Sequence, residues 1–196
     1  QLFCLRYKHV ILNKMKNLLI VGSNSEIAGS LIEMAGDEFN IYSISRSEKD
    51  IPNHYVADIM NDDLPELDVE LDGLVYFPGT ITLKPFRGLK PEDFRRDFEI
   101  NLVGAVKVIN KYLKNLSKSG NASVVLFSSV AASKGMNYHA SIASSKAAVE
   151  GLARSLAAEY AAKIRFNVIA PSLTDTPLAE RLLRTDSQRE SSAAMH

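Results

Sequence analysis

The stretch of residues 124–160 constrains the fold of this chain more than any other part of it. It begins with an apolar, β-branched run that ends in two serines, which is typical of a buried strand leaving a sheet. A polar connection with a glycine follows, and then a segment rich in small residues, where a helix can pack closely against a neighbour. Lys146 lies about one turn into that predicted helix. The pattern therefore predicts a lysine held near the end of a strand, where it can bind a cofactor or tune a neighbouring acid.

Apolar runs alternate with helical patterns along the rest of the chain. The predicted strands are residues 18–21, 41–45, 55–57, 72–79, 124–128 and 164–170, and the long predicted helices are residues 91–116 and 142–160. Strands that alternate with helices indicate a parallel sheet with right-handed crossovers and helices on both faces. In such a sheet a ligand binds at the carboxyl ends of the strands, at the switch point between the first and the fourth. We therefore expect an α/β fold with its site at that edge.

The composition excludes several classes of protein. Lysine plus arginine equals aspartate plus glutamate, at 23 each, so no net field argues for nucleic acid or an anionic membrane as a partner. The single cysteine, Cys4, leaves no internal disulfide and favours a reducing compartment. No apolar run approaches the length that spans a bilayer. We expect a cytoplasmic protein without a metal site, in which residues 1–14 are a non-native or disordered extension and residues 15–196 form a single domain.

The segment that contains Lys146 resembles the short-chain dehydrogenase/reductase family, and the resemblance covers nearly all of the chain from Met15 onward. That family carries a serine after its fifth strand, followed by a Y-x-x-x-K motif. Ser129 and Lys146 match the serine and the lysine, but Ile142 stands where the family has its proton-donating tyrosine. The resemblance implies a Rossmann-like, doubly wound dinucleotide-binding domain with strand order 3-2-1-4-5-6. Since the family continues beyond the point where this chain stops, we expect the C-terminal part of the family fold to be missing.

The first predicted strand is followed by a glycine turn and a helical pattern, an arrangement in which backbone N–H groups cradle a pyrophosphate. The family's form of this turn is T-G-x-x-x-G-x-G, and only Gly22 remains in place. Glu26 and Ala28 occupy the other two glycine positions, and a carboxylate at Glu26 would repel phosphate unless it points to solvent. The alternative is an ordinary turn with Ser25 as the helix cap. The candidate cofactor-binding residues of this turn are Gly22, Ser23, Asn24, Glu26 and Ile27.

The next strand ends in Ser45 and Arg46, at the position that faces the adenine ribose in dinucleotide folds. An arginine there accommodates the 2′-phosphate of NADP, so we predict NADP(H) as the cofactor; the alternative is a solvated surface arginine. Asp58 matches the aspartate with which the family binds adenine, although the same residue could cap a turn. Gly79, after the fourth strand, would let the backbone approach the cofactor.

Further matches to the family lie in the second half of the chain. Asn101 matches the asparagine that holds a proton-relay water, although it could simply satisfy a neighbouring carbonyl. Pro171 ends the sixth predicted strand, and Thr176 falls in the segment of residues 173–178 that resembles the loop over the nicotinamide. Residues 179–184 would then begin the mobile helix that covers the substrate. The small-residue helices resemble the family's dimer-forming pair, so we expect a homodimer or homotetramer.

In the family the serine bonds the substrate oxygen, the tyrosine gives the proton, and the lysine holds the nicotinamide ribose. Ile142 can neither give nor accept a proton, so His139, three residues earlier, is a candidate acid; the alternative for His139 is ordinary packing at a helix entrance. The candidate catalytic residues are Ser129, Lys146, Asn101 and His139. We predict hydride transfer between NADP(H) and a small carbonyl or alcohol, with an altered proton donor. The alternative is a catalytically inactive NADP-binding protein that acts as a sensor or structural subunit.

Overall fold

The computed structural model describes residues 15–176 of the chain. Its strands are β1 (Lys16–Val21), β2 (Phe39–Ser45), β3 (His54–Val56), β4 (Gly73–Tyr76), β5 (Ala122–Phe127) and β6 (Ile164–Ile169). Its α-helices are α1 (Glu26–Ala35), α2 (Pro91–Phe98), α3 (Gly104–Ser119), α4 (Ala131–Lys134) and α5 (Ala140–Glu159). All six predicted strands are present, with ends that differ from the prediction by a few residues.

The strands form one parallel sheet in the order β3-β2-β1-β4-β5-β6, which confirms the predicted topology. Val21, the last residue of β1, pairs with Ile44 of β2 on one side and with Tyr76 of β4 on the other. The carboxyl ends of these three strands therefore lie next to one another. Within the described residues β6 is an edge of the sheet.

Hydrophobic clusters cover both faces of the sheet, as a doubly wound fold requires. Leu19 and Val21 of β1 point to the face covered by α3 and α5, and Leu18 and Ile20 point to the face covered by α1. Because side chains alternate along a strand, the four consecutive apolar residues of β1 supply both clusters. This explains why the strand reads as an unbroken apolar run.

The single helix predicted over residues 91–116 is two helices joined by a π-helical turn, Glu99–Val103. The turn carries Asn101, whose side chain is buried. A π-turn inserts one residue into the helix and so changes which side chains face inward, a feature often found at functional sites. The predicted helix over residues 142–160 begins two residues earlier, at Ala140, with His139 at its N-cap position.

Some predictions lie outside the described residues. These are the extension at residues 1–14, the end of the loop at residues 177–178 and the covering helix over residues 179–184. In the part of the chain that the structure describes, no helix combines the length and apolar character needed to cross a membrane.

Candidate active site

A cavity of about 1410 Å³ runs along the carboxyl ends of β1, β2, β4, β5 and β6. Most of the candidate residues line it: Gly22, Asn24, Glu26, Ile27, Ser45, Arg46, Asp58, Gly79, Ser129, His139, Lys146, Pro171 and Thr176. Ser23 and Asn101 do not line it and are buried. The structure thus brings together, in one continuous space, residues that are far apart in the sequence.

The turn after β1 needs a glycine. Gly22 has a φ of +81°, and a Cβ atom at this position would lie 2.9 Å from Cδ of Pro78 in the loop after β4. Its N–H donates to the carbonyl oxygen of Ile44 at 2.8 Å, which ties the turn to β2. Ser25 caps α1, because its Oγ accepts the N–H of Ala28 at 3.1 Å. Ser25 is therefore the N-cap of α1, and the first residues of this helix also line the cavity.

Two other candidate residues of this turn, Glu26 and Ser23, differ in their exposure. Glu26 is exposed at the first position of α1, where a carboxylate suits the helix dipole but also lies on the cavity wall. The Ser23 side chain is fully buried, and its Oγ has no hydrogen-bond partner among the described residues. Its carbonyl oxygen accepts a hydrogen bond from Nζ of Lys49 at 2.7 Å. Ser23 therefore offers the cavity no side chain, and its assignment to the cofactor site stays a prediction.

The end of the cavity near β2 and β3 is formed by exposed polar side chains. Arg46 is exposed there, directly after β2. The pKa of Asp58 is lowered, first by the N–H of Met60, which donates to its carboxylate at 2.9 Å, and then by Asn61 and the charge of Arg46. Both carboxylate oxygens of Asp58 thus accept hydrogen bonds from its own turn, one from Met60 and one from Asn61. The geometry shows the turn-capping role of Asp58, while adenine binding stays a prediction.

Ser129, Ile142 and Lys146 line the opposite end of the cavity, near the carboxyl end of β5. Nζ of Lys146 donates to the carbonyl oxygen of Phe127, the last residue of β5, at 2.9 Å. Burial lowers the pKa of Lys146 to about 8, and the negative charge of Asp97 acts in the opposite direction. Ile142 lines the cavity one helical turn before Lys146 and is only 5% exposed. An apolar wall thus stands where a phenol would be expected.

His139 lines the same end of the cavity, but its ring is already engaged. Nδ1 lies 2.6 Å from the carbonyl oxygen of Asn137, so Nδ1 carries the hydrogen and donates it. In the neutral ring Nε2 is then an acceptor, and only the imidazolium could donate from it. Tyr138 is 60% exposed in a turn with a φ of +68° and does not line the cavity.

Asn101 belongs to a buried polar cluster behind the cavity wall. Its Nδ2 donates to the carbonyl oxygen of Asp97 at 2.7 Å and to Oγ1 of Thr80 at 2.9 Å. Its Oδ1 is buried and has no partner among the described residues. A Cβ atom at Gly79 would lie 3.1 Å from this Oδ1 and 3.5 Å from Nζ of Lys146. The lysine and the asparagine therefore approach each other over a glycine that leaves them room.

Comparison with known proteins decides the family. A family model described as enoyl-(acyl carrier protein) reductase matches residues 48–196. The 3β-hydroxysteroid dehydrogenase of Mediterraneibacter gnavus is 31% identical over 168 residues, which are 84% of this chain and 59% of that protein. The oxidoreductase UcpA of Salmonella typhimurium is also 31% identical, over 86% of this chain and 64% of that protein. The chain belongs to the short-chain dehydrogenase/reductase family.

A solved structure agrees on the fold of this short-chain dehydrogenase/reductase. The structure of ElxO with NADP bound superposes with a TM-score of 0.77, covers 93% of this chain and 84% of that protein, and is 24% identical. The curated relatives are longer: the chain spans 46% to 64% of the length of three of them.

The sequence did not reveal Asp97, the most buried charged side chain among residues 15–176. Asp97 has no exposed surface, and its carboxylate accepts hydrogen bonds from three hydroxyl groups. The donors are Oγ1 of Thr80 at 2.6 Å, Oγ1 of Thr82 at 2.9 Å and Oγ of Ser141 at 2.6 Å. One signal was available, since Asp97 lies four residues before Asn101 and therefore on the same helix face. The other charged residues of α2 obscure this signal, because a helix with so many charges is normally predicted to lie at the solvent-exposed surface.

Proposed function

We propose that this short-chain dehydrogenase/reductase transfers hydride between NADP(H) and a small carbonyl or alcohol substrate, with a proton donor other than the usual tyrosine. One observation carries the proposal: a single cavity joins Arg46, the Gly22 turn and the pair Ser129 and Lys146. The first two suit the phosphates of a dinucleotide, and the last two suit a reacting oxygen. A cavity of about 1410 Å³ has room for both ligands.

The residues present fit NADP(H). The start of α1 after the Gly22 turn suits the pyrophosphate, although the Glu26 carboxylate on the cavity wall opposes it, and the exposed Arg46 suits the 2′-phosphate. Lys146 and Thr176 line the part of the cavity where the nicotinamide riboside would be held. The bound cofactor would supply the hydride. The protein would bind and orient both ligands, polarise the carbonyl through the Ser129 hydroxyl and provide the proton.

Because Ile142 cannot donate a proton, the proposed reaction needs another proton donor. The two candidates suggested by the sequence are His139 and a water molecule held by Ser129 and Asn101. The engaged Nδ1 of His139 restricts the histidine to its cationic form, and the unpartnered Oδ1 of Asn101 supports the water. Loss of one positioned acid typically costs about 10²–10⁴ in rate, so we expect slow turnover of ordinary ketones.

The test compares the wild-type protein with Ile142→Tyr and His139→Ala, on a panel of ketones and aldehydes with NADPH. The proposal predicts measurable NADPH oxidation by the wild-type protein and a faster rate in Ile142→Tyr. If His139→Ala turns over as fast as the wild type, the histidine is not the donor.

A second candidate function follows from the same isoleucine. A protein that binds NADP without reducing a substrate needs the cavity but no proton donor, and Ile142 provides an apolar wall with none. Such a protein would serve as a sensor or a structural subunit. It is favoured if the wild-type protein is inactive on every carbonyl while Ile142→Tyr gains activity.

We also propose that the protein assembles as a homodimer or homotetramer. Helix α5 carries small residues along much of its length, and several of them are exposed or half-buried: Ala143, Ala147, Ala148 and Gly151. A small-residue helix surface allows close helix–helix contact between subunits. Light scattering on the purified protein would give the mass, and a monomer at micromolar concentration would contradict the proposal.

A further inference from the structure

We propose that Lys146 itself delivers the proton to the substrate oxygen, and that the buried carboxylate of Asp97 is the counter-charge that keeps this lysine protonated. The inference deepens the proposed reductase function and rests on it. It assigns the role left vacant by Ile142 to a residue that in the family serves to hold the cofactor and assist the tyrosine.

Lys146 has hydrogen-bond donors to spare. A protonated lysine has three N–H donors, and one of them is used on the Phe127 carbonyl oxygen at 2.9 Å. The described residues offer the other two no hydrogen-bond partner, and the side chain lines the cavity. Ile142, one turn earlier on the same helix face, puts no hydroxyl between the ammonium group and the cavity.

Asp97 supplies a charge that the hydroxyl groups around it do not balance. Thr80, Thr82 and Ser141 satisfy its hydrogen bonds, but all three donors are neutral. A fully buried carboxylate is stable only near a compensating positive charge. Lys146 provides this positive charge. Asn101 connects the two residues: its Nδ2 donates to the carbonyl oxygen of Asp97, and its Oδ1 lies beside Gly79, where Nζ of Lys146 also lies.

The remaining ionisable groups around Lys146 leave Asp97 as its principal counter-charge. On α5, the Glu150 carboxylate accepts a hydrogen bond from Ser128 at 2.6 Å and pairs with Arg154 at 3.7 Å. His139 at the start of α5 and Arg96 on α2 line the cavity and bring no negative charge. The end of β5 and the loop after β4 place only serine, threonine, glycine and apolar side chains there, and the Tyr76 hydroxyl of β4 is bonded to Ile100.

The protonation equilibrium suits an acid at neutral pH. Burial brings the pKa of Lys146 down to about 8, so the group is charged at pH 7 and yet gives up its proton more readily than a free lysine. In the reduction, the bound cofactor would supply the hydride that forms the new C–H bond at the carbonyl carbon. The C=O π pair takes the proton from Nζ, an N–H bond breaks, and an O–H bond forms. The neutral amine then regains a proton from water.

The Asp97 part of the proposal can be tested without cofactor or activity. The pKa of Lys146 would be measured from its ¹³Cε signal by NMR, in the wild-type protein, in Asp97→Asn and in Asp93→Asn. Asp93 is a matched control, because it lies on the same helix but pairs with Lys84 at the surface. We expect Asp97→Asn to lower the pKa by roughly half a unit or more, and Asp93→Asn to leave it in place. An unchanged pKa in folded Asp97→Asn overturns the counter-charge role.

A measurement on the wild-type protein covers the case in which Asp97→Asn does not fold. Coupling between two charges is reciprocal, so the ¹³Cγ signal of Asp97 should shift at the pH where Lys146 loses its proton. Lys146→Met should remove that step. A flat Asp97 signal across the titration of Lys146 would likewise overturn the role.

The proton-donor role is tested by Lys146→Arg, with Lys114→Arg on the exposed side of α3 as the matched control. Arginine keeps the positive charge but does not release a proton. We expect Lys146→Arg to lose roughly 10²-fold or more in NADPH-dependent turnover, to bind NADPH within a few-fold of wild type, and to lack the wild-type fall in rate above pH 8. Turnover near the wild-type value in Lys146→Arg overturns the inference. A wild-type protein that binds NADPH but reduces no carbonyl overturns the proposed function and the donor role together, while the titration still decides the pairing of Asp97 with Lys146.

Discussion

The two ends of the cavity are built in opposite ways. At the end formed by β1, β2 and β3, Arg46 is exposed, and the half-buried Asp58 carboxylate accepts its hydrogen bonds from within its own turn. At the end formed by β4, β5 and α5, a fully buried carboxylate joins segments that are far apart in the sequence. The bond from Ser141 to Asp97 spans 44 residues, and the bond from Lys146 to Phe127 spans 19.

This difference indicates that substitutions at the two ends affect different free energies, that of cofactor binding at one end and that of unfolding at the other. Exposed polar groups remain partly solvated whether or not a ligand is present, so a substitution there should change cofactor affinity and leave the fold intact. Buried polar groups that lose a partner cannot form a hydrogen bond to water instead. Substitutions at the other end should therefore change the stability of the protein and the protonation of its buried groups as well.

The largest effect concerns the pH dependence of stability through Lys146. Its pKa is about 8 in the folded protein against 10.5 for an ordinary lysine, so the unfolded state binds more protons between these values. The free energy of unfolding of the wild type, relative to Lys146→Met, should therefore rise from pH 8 to pH 10.5, by on the order of 3 kcal/mol. Urea denaturation of both proteins across this range measures it. A difference that stays constant with pH would mean that the folded lysine titrates normally.

The second effect is the loss of the buried carboxylate. Asp97→Ala removes the acceptor of three hydroxyl groups and should lower the free energy of unfolding by roughly 2–4 kcal/mol. Asp93→Ala removes a half-buried carboxylate that pairs with Lys84 and accepts the Lys90 N–H at the start of the same helix, and it should cost about 1 kcal/mol. Equal losses in chemical denaturation would show that the two carboxylates contribute alike to stability and would contradict this prediction.

The third effect lies at the exposed end of the cavity and concerns NADP(H). Replacing Arg46 by glutamine removes one charge-assisted contact to the 2′-phosphate, so NADPH binding should weaken by about 1.5–3 kcal/mol while NADH binding hardly changes. Isothermal titration calorimetry with both cofactors measures it. Arg165→Gln is the control, because Arg165 is exposed near the opposite end of a strand. Equal affinities of the wild type for NADPH and NADH would count against NADP(H) as the cofactor.

The smallest effect concerns the helix cap beside the glycine turn. Ser25→Ala removes the Oγ that accepts the Ala28 N–H and should cost about 1 kcal/mol of stability. Ser30→Ala, at an exposed position inside the same helix, should cost close to nothing. A thermal melt of the two variants checks this, and identical melting temperatures would mean that the cap contributes nothing.

Much of the fold and the exposed end of the site could be predicted because their signals are local. The apolar runs of β1 and β5 mark buried strands, and residues that directly follow a strand must lie at the carboxyl edge of the sheet. Gly22, Arg46 and Gly79 were found in this way. The order of the strands came from resemblance to a family, since local patterns do not determine it.

The buried cluster could not be predicted because its signal exists only in three dimensions. Asp97 is preceded by two arginines in a strongly charged helix, and apart from its spacing of four residues from Asn101 nothing in that segment distinguishes it from an exposed acid. Its partners come from the loop after β4 and from the start of α5. The π-turn at Glu99–Val103, which changes which side chains face inward, likewise has no clear sequence pattern.

The most direct test of the central claim is whether the protein moves a hydride. NADPH deuterated at the transferring position of the nicotinamide would be incubated with the protein and a panel of carbonyl substrates, and the alcohols would be analysed by mass spectrometry. The proposed function predicts one deuterium on the carbinol carbon of at least one product, with no transfer when the protein is omitted. NADPH that binds to the protein without any deuterium reaching any product would contradict it and would favour a binding protein instead.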